Sequence, residues 1–329
     1  LTENPEILLS VQDLKVYFHG EDEIARAVDG MDFEVGRCEN VCLVGESGCG
    51  KTVSALAVMG LIPCPPAEIS GGRIIFDGKN LLGLDETELE RIRGRRIGMV
   101  FQEPLTSLNP VLTIGEQIAE PLRVHTSMPA SDVAPFSTQL LQDVGIDRPQ
   151  ERLRDYPHQL SGGQRQRVMI AMALACGPEL IIADEPTTAL DVTVQAQILR
   201  LLSALQRSRA LSVLYITHDL GVVSQIADRV YVMYAGLIVE QGTVAHIFKD
   251  PRHPYTRALL AALPSRKKRG RRLYSIPGSV PHPAHKPPGC PFHPRCSMAV
   301  AACREQRPDL CEFAHGHSAR CPVAAGGWR

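Results

Sequence analysis

Residues Gly45–Thr52 read GESGCGKT, between an apolar run, Val41–Val44, and a stretch of helical character, Val53–Leu61. A glycine-rich turn that leads from a strand into a helix and closes on Lys and a hydroxyl residue is the pattern of a phosphate-binding loop. Gly45, Gly48 and Gly50 let backbone N–H groups turn inward around phosphate oxygens, and Glu46, Ser47 and Cys49 complete the loop. Lys51 then reaches the β- and γ-phosphates, and the Thr52 hydroxyl binds magnesium. The ligand this predicts is a nucleoside triphosphate. Cys49 mainly supplies a backbone amide, although a thiol beside Lys51 and a helix N-terminus is expected to have a lowered pKa and to be oxidisable.

Working outward from the loop, Leu8–Leu14, Val41–Val44 and Arg73–Phe76 read as short strands. Between about Pro104 and Ala175 the text turns helical, with apolar positions at Ile114, Ile118 and Leu122 and again at Leu140, Leu141 and Val144. A buried strand at Leu180–Ala183, a helix at Val194–Leu205, a strand at Val213–Thr217 and the strand pair Val230–Tyr234 and Leu237–Glu240 follow. Strands alternating with helices predict an α/β fold with a mostly parallel sheet covered on both faces. After Pro251 prolines crowd the text, around a basic run, Arg266–Arg272, which reads RKKRGRR. A boundary is placed at Asp250, giving a core over 1–250, a helical insertion near 103–176 and an extension over 251–329. The basic run reads first as a solvated linker and second as a contact for anionic lipid headgroups.

The bulk properties agree with this and exclude several classes. A chain of 329 residues with 44% hydrophobic content has room for about two domains. Its 35 Lys and Arg against 36 Asp and Glu leave a formal charge of −1. No whole-chain attraction to nucleic acid follows from that balance. No apolar run approaches the roughly 20 residues of a membrane span, and the opening LTENPE is acidic, so neither a span nor an unaided secretory route is expected. Cys38, Cys42, Cys49, Cys64 and Cys176 are scattered, whereas Cys290, Cys296, Cys303, Cys311 and Cys321 gather in the tail. That distribution points to reduced thiols and one local metal site more than to a disulfide framework.

Two further motifs carry chemistry. Leu180–Pro186 reads LIIADEP, a buried strand that ends on adjacent acids. Two carboxylates there are costly unless a cation is met. Asp184 suits magnesium and Glu185 suits a general base acting on water. Leu160–Gln164 reads LSGGQ, with Ser161, Gly162, Gly163 and Gln164 opening a helix, a second anion site in one chain.

LSGGQ lying between a phosphate loop and LIIADEP is similar to the signature of ABC ATPases. The resemblance implies a P-loop ABC ATPase core, with a RecA-like mostly parallel sheet, an antiparallel β subdomain and a helical subdomain, followed here by a Cys-rich C-terminal extension. It further implies that the signature of one subunit closes over ATP held by the loop of its partner, so that function needs a dimer. Gln102, after the apolar run Ile97–Phe101, matches the glutamine that touches magnesium and the attacking water. Ala189, Leu190 and Asp191 match the loop that crosses the dimer interface, and His218 in ITHD matches the histidine that contacts the γ-phosphate. Phe18 matches the adenine-stacking position better than Tyr17.

Gln102–Pro110, QEPLTSLNP, and His253–Pro264, HPYTRALLAALP, resemble the ATPases of dipeptide and oligopeptide importers, a group that also includes nickel importers. IPGSVPHP and GCPFHPRC match the same group's extension. The implied function is ATP hydrolysis coupled to peptide uptake at the cytoplasmic face of the cell membrane, with nickel or another small solute as the alternative. The implied partners are a second, paralogous ATPase subunit, two transmembrane permeases and, indirectly, an extracytoplasmic solute-binding protein, with no nucleic acid. A soluble ABC protein acting on nucleic acid or ribosomes, and a metal-cluster sensor, are rival classes. In some members the cysteines matching Cys290, Cys296, Cys303 and Cys321 hold a four-iron four-sulfur cluster. Zinc and free thiols stay open beside it, and His293, His315 and His317 are nearby ligands that would favour zinc. Cys311 falls outside the matched set. None of the nucleotide contacts is expected to come from the tail.

Overall fold

The computed structural model describes residues 6–188, 190–263 and 274–328. Ala189, Pro264 and the basic run Arg266–Arg272 lie outside the described residues. In chain order the strands are β1 (Ile7–His19), β2 (Ile24–Gly36), β3 (Asn40–Val44), β4 (Ala67–Phe76), β5 (Lys79–Asn80), β6 (Ile97–Val100), β7 (Leu180–Asp184), β8 (Ser212–Thr217), β9 (Arg229–Tyr234), β10 (Leu237–Thr243), β11 (Cys311–Ala314) and β12 (His317–Ala319). The helices are α1 (Lys51–Val58), α2 (Glu86–Glu90), α3 (Pro104–Ser107), α4 (Ile114–His125), α5 (Ala130–Asp143), α6 (Pro149–Arg152), α7 (Gly162–Leu174), α8 (Val192–Arg209), α9 (Leu220–Ile226), α10 (Val244–Lys249), α11 (Pro254–Ala262) and α12 (Ala302–Glu305).

The chain divides into two compact units, one built mainly of Gly83–Tyr215 with Gly36–Glu39, the other of Ile7–Val35, Asn40–Leu82 and residues from Ile216 onward. In the first unit β6 and β7 pair in parallel, Ile97 beside Leu180 and Val100 beside Ala183. Both are buried on two faces, which is why they read as continuous apolar runs. Helix α7 comes so close to β6 that a Cβ on Gly98 would stand 2.4 Å from the Ala173 carbonyl oxygen. Helix α4 opens on a capping box in which Thr113 Oγ1 accepts from the Glu116 amide and Glu116 Oε2 accepts from the Thr113 amide. The apolar positions that predicted these helices, Ile114, Ile118, Leu122, Leu140, Leu141 and Val144, are all buried.

The second unit holds an antiparallel sheet, β2-β1-β4-β5, in which Leu9 faces Phe76 and Phe18 faces Ala67. It also holds β3 parallel to β9, with Val44 beside Val232, and β10 antiparallel to β9. Strand β2 was not anticipated, although Met31, Phe33 and Val35 alternate with polar residues and are buried. Nor were the tail strands. Strand β12 pairs with β10, Glu240 facing Ala319, and β11 pairs with β12. Among the described residues no helix is long and apolar enough to cross a membrane.

Candidate functional site

In the second unit the phosphate loop runs from the end of β3 into α1, and its glycines are required by position. Gly48 and Gly50 have φ of 79° and 109°, in the left-handed region that favours glycine. A Cβ on Gly45 would lie 2.3 Å from the Met233 carbonyl oxygen, and one on Gly50 would lie 2.6 Å from that of Ala27. No side chain caps the N-terminus of α1, so the first amides of the helix are left to the loop. Lys51 is buried, and its ammonium donates to the carbonyl oxygens of Gly45 at 2.8 Å and Glu46 at 3.0 Å. Thr52 is exposed beside it.

Cys49 corrects one expectation. Its sulfur is buried 3.9 Å from Lys51 Nζ, and desolvation outweighs the lysine's pull, so the thiol is pushed up rather than down.

Two other predicted residues belong to this unit. His218 follows β8 and is exposed; the next residue, Asp219, caps α9 by accepting from the amides of Gly221 at 2.7 Å and Val222 at 3.4 Å. Phe18 is half-buried near the end of β1. Its neighbour Tyr17 is committed elsewhere, donating to Asp29 Oδ1 at 2.9 Å under the Arg26 guanidinium. Alternation along the strand turns the two rings to opposite faces.

The first unit carries the acids and the signature. Asp184 ends β7 and is 2% exposed. Glu185 has a φ of 45°, a left-handed conformation that costs a non-glycine residue about 1 kcal/mol or more and marks functional sites. Gln102 Nε2 donates to Glu185 Oε2 at 3.3 Å, and Thr188 Oγ1 donates to the same oxygen at 2.7 Å. The second residue after β6 and the first after β7 are thus brought together.

Ser161 opens α7 with a capping box, its hydroxyl accepting from the Gln164 amide at 3.3 Å while Gln164 Oε1 accepts from the Ser161 amide at 2.9 Å. Gly162 and Gly163 lie on the first turn, and a Cβ on Gly163 would press to 2.8 Å from Val194 of α8. Asp191 caps α8, accepting from Thr193 and Val194 amides, each at 3.0 Å. Both motifs therefore do local structural work in addition to any role across an interface.

In the tail, Cys290, Cys296, Cys303 and Cys321 line one cavity, together with Phe292 and His293. The Cys290 amide donates to the Cys303 carbonyl at 2.9 Å. Burial pushes the Cys290 thiol up to about 11, and the neighbouring sulfurs of Cys303, Cys296 and Cys321 add to it. Cys296 and Cys321 are raised as well, again chiefly by burial. Cys311 stands apart on β11 with its sulfur toward the Asp309 carbonyl.

The structure removes His317 from the candidate ligands. Its Nε2 pairs with Glu240 Oε1 at 2.9 Å, both side chains being fully buried. Glu240 also accepts from the amides of Arg252 and His253, at 2.7 Å and 2.9 Å. His253 caps α11 through Nδ1, and burial pushes its imidazole down to about 3, so it is neutral. Its HPY segment is thereby an anchor for the helix that carries Tyr255.

One contact was missed in the sequence. Arg295 makes a two-pronged ion pair with Glu46 of the phosphate loop, at 2.8 Å and 3.0 Å. The two residues lie 249 positions apart, and an acid in one motif and an arginine in another give no pairing signal.

With this geometry in place, comparison with known proteins is direct. The ABC transporter family model matches residues 28–188, and the model for the C-terminal region of oligopeptide/dipeptide transporters matches 239–303. The oligopeptide transport ATP-binding protein AppD of Bacillus subtilis is 50% identical over 314 residues, covering 95% of this chain and 96% of that protein. The dipeptide transport ATP-binding protein DppD of the same organism is 48% identical over 316 residues, covering 96% and 94%. Among solved structures, a dimeric ATP-binding cassette in a post-hydrolysis state bound to ADP and phosphate superposes with a TM-score of 0.65 at 28% identity, over 72% of this chain and 98% of that one.

Proposed function

Because the chain belongs to the ABC transporter ATPases, and carries the C-terminal region of their oligopeptide/dipeptide group, we propose that it hydrolyses ATP to drive uptake of small peptides. The observation that carries this is the coexistence of a complete cassette motif set with the peptide-group extension in one chain, at about half identity to peptide-transport subunits over nearly its whole length. Roles follow the motifs. Lys51 and the loop amides bind the phosphates, Thr52, Asp184 and Gln102 serve magnesium, Phe18 stacks on adenine, Glu185 is the base and His218 meets the γ-phosphate. Residues 1–250 form the nucleotide-binding domain, with the helical subdomain near 103–176, and 251–329 the extension.

The partners in this reading are two membrane permeases, a solute-binding protein outside the membrane and a second ATPase subunit of the same family, a paralogue. The chain works from the cytoplasmic face of the membrane. Uptake of a labelled dipeptide or tripeptide by cells should fall to background when the gene is deleted, and should return with the parent chain but not with Lys51→Ala. Full uptake with Lys51→Ala would remove ATP from the account.

We propose that the four cysteines of the cavity hold a four-iron four-sulfur cluster, with zinc as the alternative. Thiolates on one zinc, each about 2.3 Å from the metal, lie within about 4 Å of one another. Among the described residues no three of these sulfurs lie within 4.8 Å of one another. A four-iron four-sulfur cluster would be held by Cys290, Cys296, Cys303 and Cys321. Such a group would supply folding energy to a short, Pro-rich segment poor in large apolar residues. Anaerobically purified protein is expected to be brown, with about four irons per chain. Colourless protein containing one zinc would reject the cluster. Cys296→Ser is expected to lower the unfolding temperature of the extension and to release the metal.

A further inference from the structure

The second residue of the phosphate loop is held by the C-terminal segments at both its side chain and its backbone. Both carboxylate oxygens of Glu46 accept from Arg295, Nη1 to Oε2 at 2.8 Å and Nη2 to Oε1 at 3.0 Å. The Glu46 amide donates to Tyr255 Oη at 2.9 Å. The Glu46 carbonyl accepts from the Lys51 ammonium at 3.0 Å. One residue thus links the tail to the lysine that serves the phosphates.

Arg295 is itself locked. Its side chain is 5% exposed, Nε donates to the Pro277 carbonyl at 2.8 Å, and Nη1 also reaches Tyr234 Oη at 3.3 Å. The guanidinium lies over the rings of Tyr234 and Phe292, at 5.7 Å and 5.9 Å. Phe292 and Tyr255 pack on Tyr234 in turn. A planar fork gripped on several sides presents its two prongs in one orientation, which an ammonium at this position could not reproduce. Arg295 also directly precedes Cys296 of the sulfur-lined cavity.

We propose that Arg295 is a positioning residue for nucleotide binding, clamping and neutralising Glu46 so that the Cys-rich extension sets the affinity of the phosphate loop. Two physical reasons lead there. A loop rich in glycine with left-handed residues has little stiffness of its own, and the Arg295 and Tyr255 bonds fix its second residue. A carboxylate in a loop that receives a triphosphate repels it unless paired, and Arg295 is the cation that pairs it. The extension is then a part of the ATP site's support, although it supplies no atom to ATP.

The proposal rests on the reading that the loop binds ATP, and the test separates the two. Binding of a fluorescent ATP analogue with magnesium is measured for the parent, Arg295→Ala, Arg295→Lys and the double variant Arg295→Ala/Glu46→Gln, with metal content and unfolding temperature followed in each. The single Ala variant is expected to bind about tenfold more weakly, within the usual range of coupling between linked sites. The Lys variant falls between, since it keeps the charge and loses the fork. The double variant recovers part of the loss, because the unpaired acid is gone while the clamp is still missing. A loss in Arg295→Ala that Glu46→Gln does not repair at all, and that comes with lost metal or a lowered unfolding temperature, would mean that Arg295 serves only the fold of the tail, and would overturn the proposal. So would parental affinity in both single variants. A parent that does not bind the analogue would overturn the ATP reading itself, and this proposal with it.

Discussion

Glu185→Gln is expected to bind ATP as the parent does and to lose turnover by about a thousandfold, the middle of the range for removing a general base. The reason lies in how Glu185 is held. Gln102 and Thr188 both donate to Oε2, so an amide oxygen in that place keeps both bonds. The left-handed backbone at residue 185 is set by the turn after β7, and the change of side-chain terminus leaves it alone. What is lost is a group that can take a proton from water. With ATP bound and hydrolysis stopped, subunits should accumulate as the closed dimer. Phosphate release, nucleotide binding and size-exclusion chromatography in ATP together check the prediction. Hydrolysis near the parental rate would show that Glu185 is not the base.

Much of the cassette could be read directly because its parts are contiguous. The loop at Gly45–Thr52, the strand Leu180–Ala183 and the LSGGQ helix start each announce themselves within about eight residues, and strands buried on both faces show as unbroken apolar runs. Strand β2 was legible in part: Met31, Phe33 and Val35 alternate with Asp32 and Glu34, the period of a half-buried strand, and only the adjacent buried pair Val28 and Asp29 interrupts it. Strands β11 and β12 are four and three residues long, too short for any pattern. The electrostatic pairs were not readable at all. Glu240 meets His317 at a separation of 77 residues and Glu46 meets Arg295 at 249, so tertiary structure alone defines them. The reversal at Cys49 has a similar origin. The lysine beside it was visible in the sequence, but the burial that outweighs it was not.

Two consequences follow for the extension. Its strand β12 continues the hydrogen bonding of β10, and its buried His317 serves Glu240, so the segment is anchored by backbone pairing as well as by whatever the cysteines hold. Substituting the cysteines should therefore loosen the sulfur-lined cavity before it detaches the β10–β12 pair.

The proposed activity needs two half-sites on the chain, its own phosphate loop and a signature that serves the partner's ATP. The most direct measurement uses an ATP analogue with a photoreactive group on the γ-phosphate, applied to complexes of Lys51→Ala with a nucleotide-competent ATPase partner. The variant is expected not to hold ATP in its own loop, because it lacks the ammonium that donates to the loop carbonyls of Gly45 and Glu46 and would serve the phosphates. Its signature is untouched, since Ser161 and Gln164 cap α7 within their own segment. Illumination is expected still to label this chain, with the label on the tryptic peptide from Asp155 to Arg165, which contains LSGGQ. Loss of all labelling from the Lys51→Ala chain, with the partner still labelled, would contradict it: the chain would then use its own site alone.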